Sequence, residues 1–310
     1  FCLSRGLGDV YKRQEFYYFT GQAQKCSDLV EIYIMSSRLE LKLSACMLYV
    51  YSNLTLGKAK ASGRGLEIIR GCLRKEMEAP TSERNTAYCV FAGYMGTVLL
   101  HLSTEELPDM KKYMSSLPQG LRIFAANVIS HDLYLKGEYS RALGICDAAL
   151  FSCKEIYPVG MIYLYCVTAM CEISLKNQAE AEKAILTAWK LAVKDELIEP
   201  FIELHGLLQG LLESCIRKEN PEMYRKISDA VITFSRGWMA VHNPASDRPV
   251  TDALTTMEFS IAMLACRDWS NREIAEHMGV SLNTVKHYLT DIFNKLHVKK
   301  RDELKNFVLK

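Results

Sequence analysis

Residues 254–304 read LTTMEFSIAMLACRDWSNREIAEHMGVSLNTVKHYLTDIFNKLHVKKRDEL, and helix boundaries can be placed in this stretch from cap chemistry. Thr255 with Glu258, and Ser270 with Glu273, have the S/T-x-x-E spacing in which a hydroxyl and a carboxylate satisfy two backbone amides left unpaired at a helix start. Ser281, after Gly279 and Val280, supplies a third cap. These marks predict helices near 255–266, 270–278 and 281–296, with a fourth near 300–309. Only Gly279 and Val280 separate the two middle helices, so they must cross steeply, and Ala275 is small enough to allow the close approach. This is the pattern of a helix-turn-helix.

In the second helix of that pair, Val285, Leu289, Ile292 and Leu296 recur at helical spacing and face a core. The opposite stripe is Asn283, Lys286, His287, Thr290 and Asn294, all able to donate hydrogen bonds of the kind that read base edges in the major groove. Between 281 and 301, five basic residues (Lys286, Lys295, Lys299, Lys300 and Arg301) stand against the single acid Asp291. Attraction to phosphate is therefore concentrated where this helix lies.

The whole block resembles the DNA-binding domain of the LuxR family. Leu254, Thr255, Glu258, Ser270, Asn271, Glu273, Ile274, Ala275, Ser281, Thr284, Val285, Lys286, Ile292, Lys295, Leu296, Val298 and Arg301 match its pattern in register. The resemblance implies that Lys286, His287 and Thr290 approach the bases. It assigns Thr284 and Lys295 to the DNA backbone or to structural support, and such contacts position a domain without reading sequence. It also implies pairing of two domains through Asp302 to Val308, hence a homodimer on a pseudo-palindromic site. Two departures stand out. Asp268, followed by Trp269, replaces a glycine, but aspartate tolerates left-handed backbone better than most residues. Tyr288 replaces a histidine, keeping a ring that can pack and a hydroxyl.

Upstream, from about Glu15 to Gly237, amphipathic helices follow one another with short breaks and almost no alternating runs, so the chain is expected to be all-α. Ala142, Ile145, Ala149 and Leu150 share one helix face; Ala181, Ala184, Ile185, Ala188 and Leu191 share another. The segment LYLKGEYSRALGICDAAL places Gly137, Tyr139, Ala142 and Ala149 as a tetratricopeptide-type hairpin does. SLKNQAEAEKAILTAWKLA repeats the rhythm about 40 residues later, and Gly57 opens a comparable break about two such periods earlier. The expectation is a tetratricopeptide-like helical-repeat solenoid similar to that of MalT-like regulators, with a plain helical bundle as the alternative. Pro244, Ser246, Asp247 and Pro249 then interrupt all apolar periodicity. The expected organisation is a leader over 1–14 outside the fold, helical repeats over 15–240, a linker over 241–250, and a four-helix LuxR-type domain over 251–310.

A hydrophobic fraction of 49% with 24% charged residues fits a folded chain and excludes extensive disorder. The net charge of +2 is too mild to mark a nucleic-acid partner, so any DNA contact must rest on local clustering. The eleven cysteines form no zinc-ligand spacing; Cys46, Cys146, Cys166 and Cys171 read as small buried hydrophobes in a reducing cytosol. His101, His131 and His205 are isolated. No Walker loop, nucleophile elbow or His-Glu-x-x-His occurs, nor the strand-helix alternation of a receiver domain. No enzyme activity, cofactor or metal is expected, and the ATP-driven switch domain of MalT-like regulators is missing from 15–250. With no membrane span or signal sequence in view, the expected location is the cytoplasm.

The functional expectation is a bacterial, sequence-specific DNA-binding transcription regulator whose recognition helix is 281–296. Its expected partners are double-stranded DNA, RNA polymerase, and a protein or small-molecule effector sensed by the helical repeats. The competing reading is a helical-repeat interaction module whose C-terminal domain does not bind DNA.

Overall fold

The computed structural model describes residues 8–99, 107–242 and 254–304, and within them the side chains of 13–99, 107–237 and 254–304. Among the described residues there is no strand, so the all-α expectation holds.

One type of turn recurs along the chain. After α1 (Gly8–Phe19), Gly21 adopts φ +73°, its amide donates to the Tyr18 carbonyl and the next amide, of Gln22, donates to Tyr17. This pair of bonds satisfies carbonyls that a helix end leaves without partners, and it needs a left-handed residue between them. The same pair recurs at Gly57, between α3 (Leu39–Thr55) and α4 (Ala59–Glu78), and at Gly137, between α6 (Gln119–Leu135) and α7 (Tyr139–Ser152). It returns at Lys176, between α8 (Pro158–Ser174) and α9 (Gln178–Ala192). The breaks expected at Gly57 and Gly137 and after Ser174 are therefore hairpin turns. Lys176 is the odd member: a residue with a side chain is held at φ +63°.

The hairpins stack in order. α2 (Ala23–Glu31) packs on α3, α3 on α4, and α4 on α5 (Glu83–Tyr94); α6, α7, α8 and α9 form a second set in which α8 touches the other three. The sequence of α8, PVGMIYLYCVTAMCEIS, is apolar nearly all round because it is covered on several sides. On α9, Ala181, Ala184, Ile185 and Ala188 are buried and Leu191 half-buried; on α7, Ala142 and Cys146 are buried, with Ile145, Ala149 and Leu150 half-buried. Between the two sets, α5 runs on into a π-helical turn, Met95–Leu99, and a 3-10 segment covers Met110–Ser116.

In a simple solenoid each repeat touches only its neighbours. Here the chain returns: α10 (Glu199–Glu203) meets α1 and α8, and α12 (Pro221–His242), preceded by the short α11 (Arg217–Glu219), lies across α3 and α4. Gly237 permits this crossing, since a Cβ there would come within 2.1 Å of the Leu54 carbonyl oxygen. The array closes on itself and to that extent departs from the expected solenoid. Two expected boundaries also shift. Residues 8–14, expected to lie outside the fold, are part of α1, with Gln14 buried; 1–7 lie outside the described residues. Helix α12 extends through His242, past the expected start of the linker; 243–250 lie outside the described residues.

The ten described cysteines are free, and Cys46, Cys146, Cys166 and Cys171 are fully buried as expected. Burial pushes the thiols of Cys46 and Cys171 up to about 12, so neither is a ready thiolate. His131 is buried, His205 shares a buried 2.8 Å contact with Glu213, and His101 lies outside the described residues. Among the described residues no group of His, Cys, Asp and Glu could hold a metal ion, and no helix is long and apolar enough to cross a membrane.

Candidate nucleic-acid interface

The C-terminal helices begin where the caps place them. α13 (Thr256–Cys266) is opened by Thr255, whose Oγ1 accepts from the Glu258 amide at 3.3 Å while Glu258 Oε2 accepts from the Thr255 amide at 2.7 Å. Ser270 and Glu273 make the same reciprocal pair, at 3.2 and 2.6 Å, at the start of α14 (Asn271–Met278). Ser281 Oγ accepts from the Thr284 amide at 3.1 Å and opens α15 (Leu282–Leu296). The turns between these helices are those of the hairpins upstream, with Asp268 at φ +60° and Gly279 at φ +64°. Asp268 thus takes the left-handed conformation that the glycine of the LuxR pattern supplies. The segment expected near 300–309 is described only as a 3-10 turn, Arg301–Leu304; the remainder, including the expected pairing stretch to Val308, lies outside the described residues.

Val285, Leu289, Ile292 and Leu296 are buried, and with Ile261, Leu264, Ile274 and Met278 they join the core of this unit. Their burial turns the other face of α15 outward. Asn283, Lys286, His287, Thr290 and Asn294 are all exposed, and Thr290 Oγ1 donates to the Lys286 carbonyl at 2.9 Å. Lys299 and Lys300, just beyond the helix end, are exposed too. Tyr288 and Thr284 are half-buried; the ring of Tyr288 packs on the core, and Thr284 Oγ1 lies 2.8 Å from the Ser281 hydroxyl.

Two cations counted toward this surface have internal partners. Lys295 Nζ donates to both oxygens of Glu258 at 2.7 Å, tying the end of α15 to the cap of α13. Burial raises the Glu258 carboxyl, but the Lys295 and Thr255 hydrogen bonds outweigh it and hold the group below the usual carboxylate range. The guanidinium of Arg301 donates to the Ala265 carbonyl at 3.1 Å, to Asn271 Oδ1 at 3.1 Å and to the Trp269 carbonyl. Both residues thus fasten the fold. A count of charges along the chain has no means of seeing these partners.

The sequence reading also missed the seat of this unit on the helical array. Lys176, the strained hairpin residue, pairs with Glu273 Oε1 at 2.9 Å and stands 5.8 Å from the ring centre of Trp269. The Lys176 hydrogen bond, with those from Ser270, lowers the carboxyl of the half-buried Glu273 to about 2. Arg267 donates to Ser174 Oγ at 2.7 Å and lies over the ring of Tyr134. The buried His277 makes a 2.8 Å contact through Nε2 with the Gln209 carbonyl, and burial lowers its pKa. One signal was available: His277 follows Ile274 by three residues and so falls on the buried side of α14. The docking uses α13, α14 and the turn between them. The outward stripe of α15 stays exposed.

The stretch of sequence that carries two capped helices, a left-handed glycine turn and an outward polar helix face matches a known family. Residues 252–308 match the family described as "Bacterial regulatory proteins, luxR family". The chain therefore carries a LuxR-type helix-turn-helix at its C-terminal end. It is also similar to the probable transcriptional regulatory protein SgaR of Hyphomicrobium methylovorum, at 28% identity over 94 residues. That similarity covers 27% of this chain and 40% of the relative, so it spans well under half of either protein. No solved structure matches the chain.

Proposed function

We propose that this protein is a sequence-specific DNA-binding transcription regulator in which α15 enters the major groove and the helical array senses an effector or partner. The observation that carries the reading is the outward stripe of α15: Asn283, Lys286, His287, Thr290 and Asn294 stand exposed on a helix whose other face is locked into a core. In this reading Lys286, His287 and Thr290 meet base edges, with Asn283 and Asn294 at the two ends of the contact. Lys299 and Lys300 meet phosphates, and Thr284 sits near the backbone at the helix start. Lys295 and Arg301 act indirectly, by holding α15 on α13 and the α13–α14 turn. Homodimers on a two-fold site and contact with RNA polymerase belong to the same proposal.

The test is selection from a random duplex pool by the full chain, followed by a salt titration of the enriched site. The reading predicts a two-fold consensus and a log affinity that falls linearly with log salt, with a slope near −0.9 for each phosphate neutralised. No enrichment by folded protein would favour an interaction module without DNA binding.

A further inference from the structure

Helix α7 stands at the edge of the second helical set and packs on α6 and α8 through Ala142 and Cys146. Its opposite face, Ser140, Arg141, Gly144, Asp147, Ala148 and Phe151, is exposed along its whole length. Other hairpins turn charge outward: the exposed face of α4 carries Lys60, Arg64, Glu67 and Arg74. On α7 the centre of that face holds two small residues and a phenyl ring, and Phe151 is 95% exposed. Gly144, Ala148 and Phe151 follow one another at helical spacing, so they form one continuous strip. Single exposed apolar residues are ordinary on a surface, but a nearly bare ring in line with a flat, uncharged strip is the form of a contact face.

The two charges on this face are placed antisymmetrically about its middle. Arg141 stands three residues before Gly144 and Asp147 three residues after it. Arg141 pairs with Glu138 of its own chain, whereas Asp147 has no ion pair among the described residues. If two copies of the helix lie antiparallel about a two-fold axis at Gly144, each position before it stands level with the equally distant position after it on the other copy. Arg141 then comes level with the partner copy's Asp147, and the pair is made twice. By the same rule Phe151, seven residues after Gly144, comes level with Gly137, seven before it. A Cβ built at Gly137 or at Gly144 would meet no atom within 4 Å. The Gly137 turn therefore has room for a ring, and at Gly144 the two helix axes can approach closely. Leu135, exposed next to that turn, offers the ring an apolar neighbour. A parallel pairing would set Arg141 against Arg141 and Asp147 against Asp147, which repel.

We propose that the outward face of α7 is a self-association surface, on which two copies of this chain pair antiparallel across Gly144. Phe151 of each copy covers the Gly137 turn of the other, and Arg141 reaches Asp147 across the seam. Aromatic rings and arginines are the side chains that interface centres favour, and self-complementary charge is what a two-fold contact requires. The 14-residue helix spans about 21 Å, so the contact is smaller than the roughly 800 Å² per partner of a standard stable interface. A weak dimer, with a dissociation constant in the micromolar range, is the expected product. This surface belongs to the helical array and is separate from the stretch up to Val308, so it stands whether or not the chain reads DNA.

Analytical sedimentation of the full chain without DNA, over a series from low to high micromolar concentration, tests the proposal. A reversible monomer–dimer equilibrium is expected, weakened about tenfold or more in Phe151→Asp. Arg141→Asp and Asp147→Arg should each be monomeric alone, because each sets like charges level with one another. Mixing these two variants should restore association, since one then carries two acids where the other carries two bases. All four positions are exposed, and helical circular dichroism equal to that of the wild type establishes that the variants fold. A wild type that stays monomeric throughout would overturn the proposal and leave the face to a different protein. A dimer that folded Phe151→Asp and both charge variants leave unchanged would place pairing elsewhere, and failure of the mixture to associate would exclude the antiparallel register. No DNA enters the assay, so none of these failures touches base reading by α15.

Discussion

Helices α15 and α10 each present two polar side chains one turn apart, and the two pairs meet opposite surroundings. Lys286 and Thr290 of α15 stand exposed, whereas Glu199 of α10 is buried and Glu203, half-buried, lines a cavity walled by tyrosines. Outward polar groups cost the fold little and are free to meet a partner. Inward carboxylates cost stability unless hydrogen bonds or a counter-charge satisfy them. The two pairs therefore bear differently on stability: removing the outer one should leave the fold intact, and neutralising the inner one should strengthen it.

The largest expected effect is on pH dependence. Both carboxyls have folded-state values raised above the ordinary 4.5, so they ionise in the unfolded chain first. Stability must then fall as pH rises from the ordinary carboxylate range to about 8, by on the order of 5 kcal/mol for Glu199. Urea midpoints measured across that range should decline in the wild type and stay flatter in Glu199→Gln. Equal slopes would mean that the carboxyl is not desolvated in the folded protein.

Arg301→Ala comes next. It strips the Ala265 and Trp269 carbonyls and Asn271 of their donor, and should cost about 2 kcal/mol in the urea unfolding of the C-terminal unit, lowering affinity for all duplexes alike. A phosphate contact would instead show as a change in salt slope with stability unaltered. Ser270→Ala removes one reciprocal cap and should cost about 1 kcal/mol by the same assay. Lys176→Gly is the smallest and most diagnostic change. It relieves a left-handed residue and should stabilise the hairpin by about 0.5 to 1 kcal/mol, while removing the Glu273 partner and speeding amide exchange in α14. If exchange in α14 does not change, the Lys176 contact does not hold the unit in place.

The C-terminal unit was legible because its signals are local. A hydroxyl and a carboxylate three residues apart fix a helix start, and Val285, Leu289, Ile292 and Leu296 dictate which face of α15 is left for solvent. Hairpin turns at Gly57 and Gly137 were legible for the same reason. What escaped depends on residues far apart in the chain. Lys295 finds Glu258 and Arg301 finds Ala265 across more than thirty positions, so both looked like free cations. The closing of α12 onto α3 hangs on Gly237 meeting Leu54, and nothing within EPFIE itself marks Glu203 as a partner of Tyr18 and Tyr163, which arrive from other helices.

The measurement closest to the central claim compares Lys286→Ala, His287→Ala and Lys299→Ala on the selected duplex and on a scrambled one. The account predicts that the first two lose about 1 to 3 kcal/mol on the selected site and little on the scrambled one, erasing preference, while Lys299→Ala weakens both equally and reduces the salt slope by about 1. Equal weakening of both duplexes by all three variants would contradict base reading by the exposed face of α15.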